Sequence, residues 1–151
     1  MPAYRERLLP PVTVFLAAAL LLPATLLVFL PLDVVVGAVV AVLLYAVVVV
    51  ALVVTSPVLL VDGEAFHAGR ARLFPDEVGE VTAHRGADAT TQRGPGLDAR
   101  AWTLFRGWVS PVVRVALTDE ADPAPYWLVS TRRPEELASA LDDLRRRTPG
   151  R

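Results

Sequence analysis

Hydrophobic residues run from Val12 to Val54 with one charged residue among them, Asp33. Asp33 divides the stretch into Val12–Leu32 and Val34–Val54, each about 20 residues long. A helix rises about 1.5 Å per residue, so each run would span about 30 Å, the thickness of a bilayer's hydrocarbon core. In water, two such helices would expose apolar surface on every side. Arg5 and Arg7 resemble the basic start of a signal peptide. The apolar segment is too long for one, no small-x-small cleavage site follows, and a second apolar run comes at once. Valine crowds the second run, but strand propensity carries little weight where unpaired backbone groups cannot reach water. A run without apolar–polar alternation is not a barrel strand either. The reading is a transmembrane α-hairpin.

Pro31, Leu32 and Asp33 make a turn short enough to hold the two helices antiparallel and in contact. Pro23 predicts a kink in the first helix. Gly37 and Ala41, with Ala17, Ala18 and Ala24, are small enough to allow close approach. Tyr45 lies within the second span, where its hydroxyl needs a partner such as a backbone carbonyl of the first helix. Arg5 and Arg7 flank the first span while the turn carries only Asp33, so the positive-inside tendency puts the N-terminus in the cytoplasm. Two spans return the chain to that side. The expected organisation is a cytoplasmic N-terminus at 1–11, a hairpin at 12–56, a cytoplasmic domain at 57–147 and a tail at 148–151. The location is the plasma membrane, with two spans and both termini cytoplasmic.

After Ser56-Pro57 the periodicity shortens. Val58–Val61 ends at Asp62-Gly63, a strong two-residue hairpin signal. Glu64–Ala68 returns, Arg70–Phe74 follows Gly69 as a third strand, and Val78–Arg85 resumes the alternation. Gly86–Arg100, with Gly94, Pro95, Gly96, Thr90, Thr91 and Gln92, reads as a long polar loop. Trp102, Leu104, Phe105 and Trp108 cluster next, and Val112–Thr118 and Tyr126–Thr131 read as strands. Pro134 opens a helix with Glu135 and Glu136 in its first turn. Leu137, Leu141 and Leu144 form its apolar stripe, and Arg145–Arg147 close it. This order, a run of short strands and then one amphipathic helix, resembles the pleckstrin-homology-like (PH-like) bent antiparallel β-barrel capped by a C-terminal helix. The fold class is therefore a membrane α-hairpin followed by a small all-β/α+β domain.

Two longer motifs carry a further resemblance. One runs from Arg93-Gly94-Pro95-Gly96-Leu97-Asp98 through Trp108-Val109-Ser110-Pro111-Val112-Val113-Arg114-Val115. The other is Asp122-Pro123-Ala124-Pro125-Tyr126-Trp127-Leu128-Val129-Ser130-Thr131-Arg132-Arg133-Pro134-Glu135-Glu136-Leu137. With the opening Tyr4-Arg5-Glu6-Arg7, they resemble the actinobacterial membrane-protein family labelled domain of unknown function 3093. The resemblance covers almost the whole chain. It implies two membrane spans and a cytoplasmic domain, and it supplies no catalytic residue.

Composition narrows the chemistry. A net charge of −1 favours neither nucleic acid nor an acidic partner, and the absence of cysteine excludes disulfide and thiolate chemistry. All 15 basic residues are arginine. His67 and His84 lack metal-ligand spacing. Ser110, Ser130 and Ser139 lack the glycines of a nucleophile elbow. The adjacent carboxylate pairs, from Asp76-Glu77 to Asp142-Asp143, read as solvated surface, and Gly94-Pro95-Gly96 lacks the Lys-Ser/Thr of a phosphate loop. No catalytic residue, cofactor or metal site is assigned.

Trp102, Arg106, Trp108, Arg132 and Arg133 are the candidates for contact with lipid headgroups or a protein partner. The expected function is a non-enzymatic scaffold or interaction module at the inner membrane face. Its partners would be the bilayer and another protein or a second copy of the chain, with no nucleic acid. The rival is a membrane-embedded enzyme or small-molecule site with the 86–100 loop as a lid and His84, Arg93, Asp98 and Arg106 as its residues. Deleting residues 1–56 is expected to leave a folded soluble fragment.

Overall fold

The computed structural model describes residues 1–147; the tail expected at 148–151 lies outside the described residues. The chain divides into two units, Leu9–Ser56 and a second made of Met1–Leu8 together with the chain from Pro57 onward.

In the first unit the leading apolar run forms α1 (Val12–Ala19) and α2 (Leu21–Phe29), and the second run forms one helix, α3 (Val34–Val54). The break falls at Leu20, three residues before Pro23. Proline lacks an N–H, and its ring crowds the carbonyl four residues back, that of Ala19. The Leu20 amide turns instead to the Ala17 carbonyl, at 3.2 Å. Asp33 caps α3, its carboxylate accepting from the amides of Val35 at 2.8 Å and Val36 at 3.1 Å. Two of the helix's otherwise unpaired N–H groups are thereby satisfied. Within α3 only Gly37 and Ala41 are buried. A Cβ on Gly37 would stand 2.6 Å from the Cβ of Phe29, so α2 and α3 meet there because glycine has no side chain. The Tyr45 hydroxyl donates to the Phe15 carbonyl at 3.5 Å. Large apolar side chains line the outside: Leu16, Leu27, Val35, Val42, Val47 and Val54 are each more than 60% exposed. Val12–Phe29 and Val34–Val54 are both long and apolar enough to cross a membrane.

Among its described residues the second unit contains eight strands: β1 (Tyr4–Arg7), β2 (Val58–Val61), β3 (Phe66–Ala68), β4 (Ala71–Leu73), β5 (Val78–His84), β6 (Trp102–Leu104), β7 (Val112–Leu117) and β8 (Tyr126–Ser130). They form two four-stranded sheets, in the orders β1-β2-β3-β4 and β5-β7-β8-β6. β6 runs parallel to β8, and every other pairing is antiparallel. The ladders describe two sheets rather than a continuous ring of strands. Tyr4, Leu8, Leu59, Val61 and Phe66 from the first sheet share a core with Val113, Val115, Trp127 and Val129 from the second. The C-terminal helix, numbered α5 (Pro134–Arg147), adds its stripe of Leu137, Leu141 and Leu144 to that core.

Beyond the two separate sheets and the parallel β6–β8 pair, where a bent antiparallel barrel was expected, the structure differs from the sequence reading in three places. Tyr4–Arg7, read as part of a separate N-terminal segment, is an edge strand of the first sheet, paired Tyr4 with Val61 and Arg7 with Val58. The polar stretch after β5 contains a helix, α4 (Gly86–Arg93), which buries only Ala89 and so carries no apolar stripe to announce it. The β2–β3 connection is a four-residue loop, since Val61 pairs with Phe66. The Asp62 carboxylate holds that loop, accepting from the amides of Glu64 and Ala65 at 2.9 and 2.8 Å. Those two bonds also hold its pKa below the usual carboxylate value.

Candidate functional site

β1 alternates strictly, with Tyr4 and Glu6 turned inward and Arg5 and Arg7 outward. Inward pointing puts a carboxylate in the interior, where it must be hydrogen-bonded to be tolerated. The Glu6 side chain is 7% exposed. It accepts from the Tyr4 hydroxyl at 2.6 Å, the Thr131 hydroxyl at 2.6 Å and the Arg132 amide at 3.2 Å. The Arg132 guanidinium lies 3.6 Å away. Burial and then the Glu6 hydrogen bond push the Tyr4 phenol far above its ordinary range. Arg133 closes the cluster from outside: its guanidinium lies over the Tyr4 ring, 4.8 Å from the centroid, and donates to the Arg5 carbonyl at 2.8 Å. Every polar group here has a partner. The arrangement fastens β1 to the segment joining β8 to α5, and it holds no free group for chemistry.

A second polar cluster lies on the outer face of the other sheet. Glu80, Thr82 and His84 alternate along β5, and together with Arg114 and Ala116 of β7 they line an open groove of about 260 Å³. His84 is held at both nitrogens: Nδ1 meets the Asp88 carboxylate at 2.5 Å and Nε2 meets the Thr82 hydroxyl at 2.9 Å. Asp88, in the first turn of α4, favours the tautomer with hydrogen on Nδ1, which leaves Nε2 to accept from Thr82. The sequence is hydroxyl, imidazole, carboxylate, the order found where a base activates a nucleophile. Asp88 is 61% exposed, so water screens its pull on the ring. The Arg114 guanidinium lies over the Tyr126 ring, 4.0 Å from the centroid.

The residues singled out from sequence scatter among these features. Trp102 packs at a tilt on Trp127, with centroids 4.1 Å apart; Trp127 belongs to the main core and the partly buried Trp102 lies against it. Trp108 is half-buried and donates its indole N–H to the Leu8 carbonyl at 3.3 Å. The Arg106 amide donates to the Ser130 hydroxyl at 3.3 Å, and its guanidinium turns back to the Phe105 carbonyl at 2.9 Å. Arg132 and Arg133 flank the Glu6 cluster. Of the four residues grouped in the rival reading, His84 alone lines the groove. Arg93 donates to the Val109 and Ser110 carbonyls and lies over Phe105. Asp98 pairs with Arg100.

Sequence reasoning missed Glu6 and Thr131, and with them the cluster. The one signal available was the alternation Tyr-Arg-Glu-Arg. Among the described residues, no three His, Asp or Glu side chains gather as a metal site would require.

No curated protein matches the chain, and no solved structure does. A family model matches residues 3–141, which takes in the Glu6 strand, both apolar runs, the groove and the first half of α5. The chain therefore belongs to the family described as Protein of unknown function (DUF3093).

Proposed function

We propose that this protein is a membrane-anchored, non-enzymatic interaction module. Its two apolar helical limbs cross the bilayer as a hairpin, and the β-rich unit stands at the cytoplasmic face, where it engages a protein partner or a second copy of the chain. We read its two sheets with α5 as a PH-like module. The observation that carries the proposal is the pairing of β1 with β2. The segment before the apolar unit and the segment after it are neighbouring strands of one sheet, which supports a hairpin whose two ends lie on the same side. The outward-facing leucines and valines supply the reason to cross, since burying each in an apolar phase is worth about 1.5–3 kcal/mol. Held at a surface, the module meets its partners at raised local concentration, so weak contacts suffice.

The chain has no cysteine, so introduced ones report cleanly. With Leu32→Cys in the hairpin turn and Glu64→Cys in the β2–β3 loop, a membrane-impermeant maleimide should label only position 32 in intact spheroplasts and both after lysis. Labelling of position 64 in intact cells overturns the orientation, and release of the protein by carbonate overturns the anchoring.

A second reading, a small-molecule site, is favoured by the Thr82–His84–Asp88 chain in its groove. Ligand-dependent shifts of the His84 ring resonances that vanish in Thr82→Val would support it.

A further inference from the structure

Outward-facing positions of the first sheet are unevenly charged along its strands. β1 and β2 meet the apolar unit at one end of this sheet, where Leu8 passes to Leu9 and Ser56 to Pro57. The outermost pair at that end is Arg7 with Val58. The β3–β4 turn, Gly69–Arg70, reaches the same end: the Gly69 amide donates to the Val58 carbonyl at 2.9 Å. Gly69 has φ +63°, so a residue without Cβ is what lets the two-residue turn close there. Two residues further along the strands, in the next outward-facing row and one row short of the opposite end, the register Arg5–Leu60–His67–Arg72 crosses the whole sheet. Four arginines thus stand at the β3–β4 turn and along the two outward-facing rows of this four-row sheet, and all four are exposed. Arg5, Arg70 and Arg72 form no ion pair among the described residues.

The acids lie elsewhere. Glu6 points into the core. Asp62 and Glu64 sit in the β2–β3 loop at the far end, next to the Arg5–Arg72 row, where Asp62 is engaged by two amides and by the ring of His67 in that row. Asp76 and Glu77 follow β4 at that same far end. Between the arginines, Val58 and Leu60 are only half-buried.

We infer that the outward face of the first sheet binds the headgroups of anionic phospholipids. The inference rests on the anchoring reading above. Three residues separate Leu8 from α1 and two separate α3 from Pro57, so the chain can extend at most about 14 Å and 11 Å there. That is comparable to the headgroup layer plus one screening length. Arginine suits the partner, since its planar fork meets phosphate oxygens two at a time. The half-buried Val58 and Leu60 give the acyl side of the interface something apolar to meet.

The test uses the full chain in liposomes of mixed phosphatidylcholine and phosphatidylglycerol, with spin-labelled versions of each lipid reporting which one sits against the protein. The wild type should prefer phosphatidylglycerol by at least about threefold, the average over every lipid touching the protein being well below the effect at one arginine. The triple variant R5Q/R70Q/R72Q should bring the preference close to one. The control R100Q/R146Q/R147Q removes the same charge from other exposed arginines and should leave the preference intact. A protein that washes off with carbonate overturns the anchoring reading and this inference with it. A protein that stays inserted but shows no phosphatidylglycerol preference, or loses it equally in both variants, overturns this inference alone.

Discussion

Replacing Glu6 with alanine should detach β1 while leaving the rest of the β-rich unit in place. The carboxylate accepts two hydroxyl bonds of 2.6 Å and one amide bond of 3.2 Å. A hydrogen bond to a charged acceptor contributes about 1.5–3 kcal/mol, but the three are not additive. With the carboxylate gone, the Tyr4 and Thr131 hydroxyls still bond each other, being 2.7 Å apart. What the substitution also removes is the carboxylate's contact with the Arg132 amide and with the Arg132 guanidinium. The guanidinium is 41% exposed and largely rehydrated, so its share is small. The net cost is about 2–4 kcal/mol.

Because β1 is an edge strand, the loss is local. In hydrogen exchange on the full chain in micelles, the Ala3 and Leu8 amides report it directly, through their bonds to the Val61 and Pro57 carbonyls. They should exchange about thirtyfold to several hundredfold faster, while amides of α5 hold their rates. Arg5→Ala, on the exposed face of the same strand, should change the rates less than threefold, within about 0.5 kcal/mol. Unchanged exchange at Ala3 and Leu8 in Glu6→Ala, or an equal rise throughout α5, refutes the reasoning.

Other outcomes follow from the same geometry. A fragment starting at Pro57 lacks Tyr4 and Leu8 from its core and should not unfold cooperatively in urea. Joining Leu8 to Pro57 through Asn-Gly, which suits a two-residue hairpin, should restore a soluble, cooperative fold. Gly37→Val forces a Cβ to within 2.6 Å of Phe29 and should destabilise the helical unit by about 1–3 kcal/mol, read as a lower Tm in micelles. The Arg85 guanidinium, bonded to both Glu135 oxygens, holds that carboxyl at about 2, below its reference value of 4.5. A depressed folded-state pKa contributes stability that is complete above about 4.5 and is lost as pH falls through about 2. Carbon-detected titration should find that low midpoint, and Arg85→Gln should return it toward 4.5.

Legibility from sequence followed locality. The apolar runs announced α1, α2 and α3, and Leu137, Leu141 and Leu144 announced α5, because each pattern is complete within one segment. β2, β7 and β8 were legible for the same reason. β1 was not: Tyr4-Arg5-Glu6-Arg7 has three charged residues in four, and its partner, β2, lies about 50 residues further on. α4 has no stripe to betray it, and Thr90 and Thr91 lean away from helix; in the structure their hydroxyls bond back to the Gly86 and Ala87 carbonyls. The parallel β6–β8 pairing is long-range, and strand order alone suggested a bent antiparallel barrel. The Glu6 cluster stayed hidden because it joins opposite ends of the sequence, Glu6 and Thr131 being separated by 125 in residue number.

The pairing of β1 with β2 also fixes an order of events during synthesis. The first strand leaves the ribosome early, yet its partner is not made until the 48 residues from Leu9 to Ser56 have followed. At about 5–20 residues per second, that is a wait of several seconds. Over that interval Tyr4 and Leu8 have no core to join, and the nascent chain carries an unfinished sheet edge. Closure of the sheet comes only after both apolar helices have been translated, so any delay in settling those helices prolongs exposure of that edge.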